Sequence, residues 1–330
     1  MNSFVLTKEQ RALVQAFDLQ KLPASMMLVG NAGIGKGEVA EIYARAHLCL
    51  SGWANGDACT CISCTLFLNQ SHPDYLRVQP KRDGGSISIE QIRQAQEFVG
   101  LTANQQGGKA IILDGRLTGS ATNGLLKLLE EPPEGVLLIM LSPRAGLLPA
   151  TIRSRVQIRA APMPDWDQAL SWYQSQHPKI PADQLDEYEI LWHLCSGGTI
   201  RAANMVRNKK GQLVSDQLND LQQLMNGKID ASSLAQQWGD KQPDFAIRLC
   251  WRLTVDASLT AAGSALPIGL RTEPVSALRR NWLELAEELS TKHSLKALCK
   301  LESECCDRLQ ALDTGGRNKA WLLTGLLLLW

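Results

Sequence analysis

Between Ser25 and Ala160, short unbroken apolar runs alternate with stretches in which apolar residues recur every three or four positions. An unbroken run suits a strand covered on both faces, and the three-to-four spacing suits a helix that buries one side. The alternation therefore predicts a parallel sheet with helices packed on its faces. Five strands are expected: SMMLVG (25–30), DYLRV (74–78), KAIILD (109–114), GVLLIMLS (135–142) and VQIRA (156–160). Val39, Ile42, Tyr43 and Ala46 mark a helix close behind the first strand. Two more helices are expected over 88–99 and 121–131, the second stopped by Pro132 and Pro133.

Past APMP (161–164) the strand pattern ends and helical periodicity takes over. A small helical unit is expected to about 207. Beyond it, Val214, Leu218, Leu221 and Met225, and later Trp282, Leu285, Ala286 and Leu289, fall on single helical faces. The expected division is thus an α/β domain over 1–160, a small helical domain over 161–207 and an all-helical domain over 208–330. The final run, AWLLTGLLLLW (320–330), has about half the length that spans a bilayer, which suits a buried terminal helix rather than an anchor.

Composition adds mainly exclusions. With 45% hydrophobic and 20% charged residues, the 330-residue chain is an ordinary folded protein. Thirty-four Lys and Arg against 33 Asp and Glu leave a net charge of +1, so any contact with DNA must come from a local patch rather than a bulk field. The first twenty residues mix charged with apolar positions and lack the hydrophobic stretch of a secretion signal, from which a cytoplasmic location is expected.

Three stretches carry candidate chemistry. GNAGIGKG (30–37) follows a strand and precedes a helix, the context in which a glycine loop wraps phosphates with backbone N–H groups; Gly30, Gly33, Gly35 and Lys36 fit that role. The next residue would normally be a Ser or Thr that ligates Mg²⁺, and here it is Gly37. Asp114 ends the third strand, where such folds place a carboxylate for the metal. Gly115 follows it, in place of the Glu that polarises the attacking water. A plain glycine-rich turn is the alternative reading of this loop.

Of nine cysteines, Cys49, Cys59, Cys61 and Cys64 crowd into sixteen residues with spacing C-x9-C-x-C-x2-C. Four thiolates suit a closed structural Zn²⁺ site, and unligated buried cysteines are the alternative. Cys195, Cys250, Cys299, Cys305 and Cys306 lie in helical patterns and read as small buried side chains. In TIRSRVQIR (151–159), Arg155 follows Ser154 at a strand entrance. It is either solvated surface or a cation aimed at a neighbouring subunit's phosphates.

The order GNAGIGKG, the four-cysteine segment leading into SHPDY, KAIILD, NGLLKLLEEPPEG, TIRSRV and GGTIRAA resembles the AAA+ clamp-loader ATPases of bacterial DNA polymerase III over about residues 20–205. The resemblance implies a P-loop domain with a zinc module, a small helical lid and a helical collar. It implies that Arg155, supported by Ser154, acts as an arginine finger into an adjacent motor subunit's ATP site, with Val156 where the family has Cys. Ser142 then sits at the first sensor position and Arg201 at the second. Cys49, Cys59, Cys61 and Cys64 fall on the zinc module, the second displaced by one residue.

The resemblance also implies a non-hydrolysing member of a five-subunit ring that loads a sliding clamp onto primed DNA. Its partners would be the gamma/tau motor subunits and the delta subunit, within a DNA-directed DNA polymerase, a nucleotidyltransferase. ATP or ADP would be held weakly or not at all by Gly30, Gly33, Gly35, Lys36, Asp114, Ser142 and Arg201. Two rivals are a competent ATPase that recruits Glu130 or Glu131, and a zinc-dependent DNA-binding module.

Overall fold

A computed structural model of the chain describes residues 11, 14, 19, 21–54, 56–82, 85–104, 108–239, 243–264, 276–314 and 319–330. The chain forms two compact units, Met1–Gln176 with Gly197–Ile200, and His177–Ser196 with Arg201–Trp330.

In chain order the first unit contains β1 (Ser25–Val29), α1 (Lys36–Leu48), α2 (Ile62–Leu68), β2 (Tyr75–Val78), β3 (Ser86–Ile87), α3 (Ile89–Gly100), β4 (Lys109–Asp114), β5 (Arg116–Leu117), α4 (Gly119–Glu130), β6 (Val136–Ser142), α5 (Ala150–Arg153), β7 (Gln157–Ala160) and α6 (Trp166–Gln176). Five strands form one parallel sheet in the order β2-β4-β6-β1-β7. The five expected strands are these five, with ends moved by a residue or so. The paired two-residue strands β3 and β5 were not anticipated, because two residues carry no period.

Alternation along each strand divides the core. Met27, Ile111, Leu113, Leu138 and Met140 face α3 and α4 and meet Ile92, Ala95, Leu125 and Leu129. Their neighbours Met26, Leu28, Ala110, Ile112, Leu137 and Ile139 face the other way, onto Val39, Ala40, Tyr43 and Leu48 of α1. Both faces are covered, which is why the strands read as unbroken apolar runs. Helix α3 starts at a capping box: Gln91 N donates to Ser88 Oγ at 3.5 Å, and Ser88 N to Gln91 Oε1 at 3.2 Å. Helix α4 starts at Thr118, whose Oγ1 accepts from Ala121 N, and its bounds differ slightly from the expected 121–131.

The remaining helices are α7 (Ala182–Leu194), α8 (Thr199–Arg207), α9 (Lys210–Met225), α10 (Ala231–Gly239), α11 (Pro243–Ala261), α12 (Ala277–Lys292), α13 (Leu295–Thr314) and α14 (Lys319–Leu327). Helix α11 packs against α12 and α13, and α10 against α14. Val214, Leu218 and Leu221, and Trp282, Leu285, Ala286 and Leu289, are buried as their spacing requires.

Among these apolar side chains lies a polar knot around Asp256, which is fully buried. Its carboxylate accepts from Trp282 Nε1 at 2.9 Å and pairs with His193 Nε2 at 3.0 Å and Arg252 Nη2 at 3.3 Å. Arg279, also buried, pairs with Glu189 at 3.1 Å and Asp186 at 3.5 Å. These groups connect α7, α11 and α12 through partners that offset the cost of burying each charge.

Two expectations need correction. Cys299 is exposed and Cys195 and Cys306 are half-buried, leaving only Cys250 and Cys305 as buried packing residues. On α13 the buried face is Leu298, Leu301 and Cys305, and Cys299 lies one residue off that stripe. The terminal helix is buried on one side only, through Leu322, Leu323, Leu326 and Leu327, while Trp321 and Leu328 are 64% and 68% exposed. Among the described residues no helix is long and apolar enough to cross a membrane.

Candidate functional site

The glycine loop stands at the carboxyl ends of the parallel strands. Val29 pairs with Ser142 and Leu141 with Asp114, so Gly30, Ser142 and Asp114 emerge at one edge. Ligands bind at that edge in open α/β sheets. Gly30, Gly33 and Gly35 take φ of +152°, +80° and +94°, and Gly35 caps the start of α1. The spacing of glycines in the sequence is thus the spacing of left-handed backbone in the loop.

Lys36 is buried at 8% exposure. Its ammonium donates to Gly30 O at 2.6 Å and Asn31 O at 2.7 Å, folding back on its own loop. Burial pulls its pKa down to about 8, opposed by Asp114 and Glu38. Glu38 is pushed above its ordinary value, again by burial. Gly33, Gly35, Lys36, Arg77, Asp114 and Ser142 share a cavity of about 290 Å³. The Ser142 hydroxyl is engaged, donating to Arg144 O at 2.8 Å.

The two missing groups have physical counterparts. Arg77 on β2 sends Nη2 to Asp114 Oδ2 at 2.6 Å, and its Nη1 pairs with Glu41 of α1. A Cβ built on Gly37 would lie 3.0 Å from that same Nη2. Gln79 Nε2 also donates to Asp114 Oδ2, at 2.8 Å. At Gly115 a Cβ would lie 2.6 Å from Pro80 Cδ and 2.8 Å from Cγ, far inside contact distance. The stretch Arg77–Pro80 therefore lies against both places: a Glu at 115 does not fit without displacing Pro80, and a Ser at 37 needs the Arg77 guanidinium to give by a few tenths of an ångström. A divalent ion of the kind this loop normally holds does not fit these residues: Gly37 offers no oxygen, and Asp114 already binds a guanidinium.

Arg155 lies at the other end of the sheet. Gln157, the first residue of β7, pairs with Met26, four residues before Gly30. At about 3.3 Å per residue the two edges are roughly 13 Å apart, and Arg155 lies beyond the far one. Its Nη1 donates to Thr151 O at 2.8 Å and Ser154 Oγ at 3.3 Å, and Nη2 pairs with Glu130 Oε1 at 3.0 Å. The side chain stays 36% exposed. Glu130 ends α4, so the LLEEPP stretch holds this arginine in place. Arg201 belongs to the second unit.

Cys49, Cys59, Cys61 and Cys64 do come together, with all four sulfurs within 4.8 Å of one another. Cys49 Sγ is 3.5 Å from Cys59 Sγ and 3.9 Å from Cys61 Sγ. A tetrahedral site with metal–sulfur bonds near 2.3 Å needs sulfurs about 3.8 Å apart, so the group could hold a metal ion. The tight C-x-C step is accommodated because Cys61 caps α2, its sulfur accepting from Cys64 N at 3.5 Å; Cys49 Sγ accepts from Trp53 N at 3.3 Å. The Cys59 thiol is drawn down to about 6, first by the Ser51 hydroxyl 3.0 Å away, whereas burial pushes the Cys64 thiol up.

Arg45 braces the group from α1, donating to Cys59 O at 3.0 Å and lying over the Trp53 ring. The SHPDY stretch is tied to the same segment through His72. Ser63 Oγ donates to Leu48 O and meets His72 Nε2 at 2.9 Å, while His72 Nδ1 accepts from Asp74 N.

Sequence reading missed Arg77, Gln79, Pro80 and Glu41. The only available signal was a charged residue inside a predicted strand, Arg77, followed by Pro80 just past its end. A family model described as DNA polymerase III, delta subunit, matches residues 6–163. DNA polymerase III subunit delta' of Yersinia pestis is 30% identical over 305 residues, covering 90% of this chain and 86% of that protein. The subunit delta' of Pseudomonas aeruginosa is 34% identical over 218 residues, and that match spans 64% of each protein, a little under two thirds of the relative. DNA polymerase III subunit gamma/tau of Mycoplasma pneumoniae is 35% identical over 151 residues, which are 45% of this chain and 21% of that protein.

Proposed function

Because this chain belongs to the DNA polymerase III delta-prime family of clamp-loader subunits, we propose that it is a non-hydrolysing member of a clamp-loader ring that loads the sliding clamp onto primed DNA. Arg155 reaches into the ATP site of an adjacent gamma/tau motor subunit, Ser154 and Glu130 orient it, and the delta subunit completes the ring. Residues 1–160 form the P-loop domain, 161–207 the lid that carries Arg201, and 208–330 the collar. Cys49, Cys59, Cys61 and Cys64 hold a structural Zn²⁺, which supplies stability and no catalysis.

The observation that carries this reading is the placement of Arg155. It is half-exposed, held by Glu130, and at the amino-terminal edge of the sheet, away from the chain's own glycine loop. An exposed ion pair of this kind contributes at most about 1 kcal/mol to stability, so it serves to aim the guanidinium rather than to hold the fold. At the chain's own loop, Gly37 and Gly115 remove the groups for metal and water, so the subunit assists a hydrolysis it does not perform.

The test is reconstitution with motor and delta subunits. Arg155→Ala is expected to leave ring assembly largely intact and to lower the melting temperature by no more than about 4 °C, while lowering turnover at the adjacent site by about 10³-fold or more, the effect of removing a trans-acting arginine. An unchanged DNA-stimulated ATPase rate overturns the finger assignment. Turnover of ATP with Mg²⁺ by the isolated chain overturns the non-hydrolysing reading.

A further inference from the structure

In a competent phosphate loop, the hydroxyl after the lysine and the carboxylate at a nearby strand end hold a divalent cation between them. Here the hydroxyl is replaced by Gly37, and the Arg77 guanidinium lies between the two positions. Its Nη2 is 2.6 Å from Asp114 Oδ2 and 3.0 Å from where a Cβ at Gly37 would be. Glu41 pairs with the other end of the guanidinium, so the arginine is held from two sides, and Gln79 Nε2 donates at 2.8 Å to the same Asp114 oxygen that Arg77 contacts. A second cation placed there would have to displace the guanidinium, and would meet an Asp114 Oδ2 that already accepts from Arg77 and Gln79.

We propose that Arg77 is a resident cation in the place of the divalent metal, so that this loop takes the polyphosphate of a nucleoside di- or triphosphate without Mg²⁺. The proposal rests on reading 30–36 as a nucleotide loop that does not hydrolyse. The loop N–H groups and Lys36 supply the phosphate contacts, and Arg77 supplies the charge that a metal supplies elsewhere. Binding is weak, because Lys36 must first leave the Gly30 and Asn31 carbonyls it now holds. Gly37 suits the same arrangement: a Cβ there would lie 3.0 Å from Arg77 Nη2 and crowd the guanidinium where it pairs with Asp114.

The experiment is calorimetric titration of the full chain with ADP and with ATP, once in EDTA and once in excess Mg²⁺. A parallel measurement of bound Mn²⁺ by electron paramagnetic resonance is made in the presence of ADP. Equal affinity in both buffers, within about twofold, and no ADP-dependent Mn²⁺ signal are expected. The double variant Arg77→Met with Gly37→Ser makes room and supplies an oxygen, and in it Mg²⁺ is expected to tighten ADP binding about tenfold and the Mn²⁺ signal to appear.

Should that variant fail to fold, the comparison of buffers on the unaltered chain still decides. Binding at least about tenfold tighter in Mg²⁺ overturns the proposal. So does an absence of binding to either nucleotide at millimolar concentration. Mg²⁺-dependent binding without turnover overturns this proposal alone, whereas Mg²⁺-dependent turnover also overturns the non-hydrolysing reading.

Discussion

Putting back the missing glutamate at position 115 is expected to destabilise the protein and to restore no activity. The clash begins at Cβ, which would stand 2.6 Å from Pro80 Cδ, 2.8 Å from Pro80 Cγ and 3.4 Å from Ile87 Cδ1. Carbon atoms rest comfortably at about 3.5–4.0 Å, so the shortfall approaches 1 Å against a ring that cannot rotate aside. Overpacking of this degree costs about 1–3 kcal/mol. For a unit of this size, each kcal/mol lowers the melting temperature by about 2–4 °C, which gives a loss of roughly 2–12 °C.

Thermal unfolding followed by circular dichroism measures it, with Gly115→Ala as the key partner variant. Because the conflict is at Cβ, alanine is expected to produce most of the loss, and glutamate little more. Pro80→Ala removes the two offending carbons, so adding Gly115→Glu in that background is expected to cost at least about 1 kcal/mol less, a coupling that a double-mutant cycle reads directly. Neither glutamate variant is expected to turn over ATP, since Arg77 still occupies the place beside Gly37. Melting of Gly115→Ala within about 1 °C of the parent, or ATP turnover by Gly115→Glu, refutes the argument.

Metal analysis of the purified chain is expected to find one zinc per molecule; Cys64→Ser is expected to lose it and to melt lower, and a chain that carries no metal and melts unchanged in chelator contradicts the assignment. Asp256→Ala strands Trp282, His193 and Arg252 in the helical unit, and is expected to lower the unfolding free energy by about 3–5 kcal/mol in urea titration. His193 is held below the ordinary histidine range by burial, with Asp256 opposing that shift and Arg252 adding to it. Its contribution is therefore complete above about pH 6.5 and is lost as pH falls below that value, because the unfolded chain then takes the proton more readily. The difference in urea midpoint between the parent and His193→Gln is expected to narrow on acidification over that range; a constant difference contradicts it.

The order of strands and helices could be read from the sequence because both faces of the sheet are covered and each helix buries one stripe, which writes a period into the residues. The phosphate loop was readable for a similar reason: left-handed backbone at Gly33 and Gly35 admits few residues other than glycine. The cysteine group was readable as four residues of one kind in sixteen positions, and its C-x-C step could be judged only once Cys61 was found at a helix cap. What the sequence determined at Gly37 and Gly115 was a pair of absences. That these places are filled, by Arg77 and Pro80, is a fact of tertiary structure alone, because strand β2 follows α1 by a long insertion and reaches the loop only through the parallel pairing of β2 with β4. Arg155 divides the same way. Its residue type is local, but its distance from the chain's own loop follows from the parallel register of β7 on β1, which no run of letters contains.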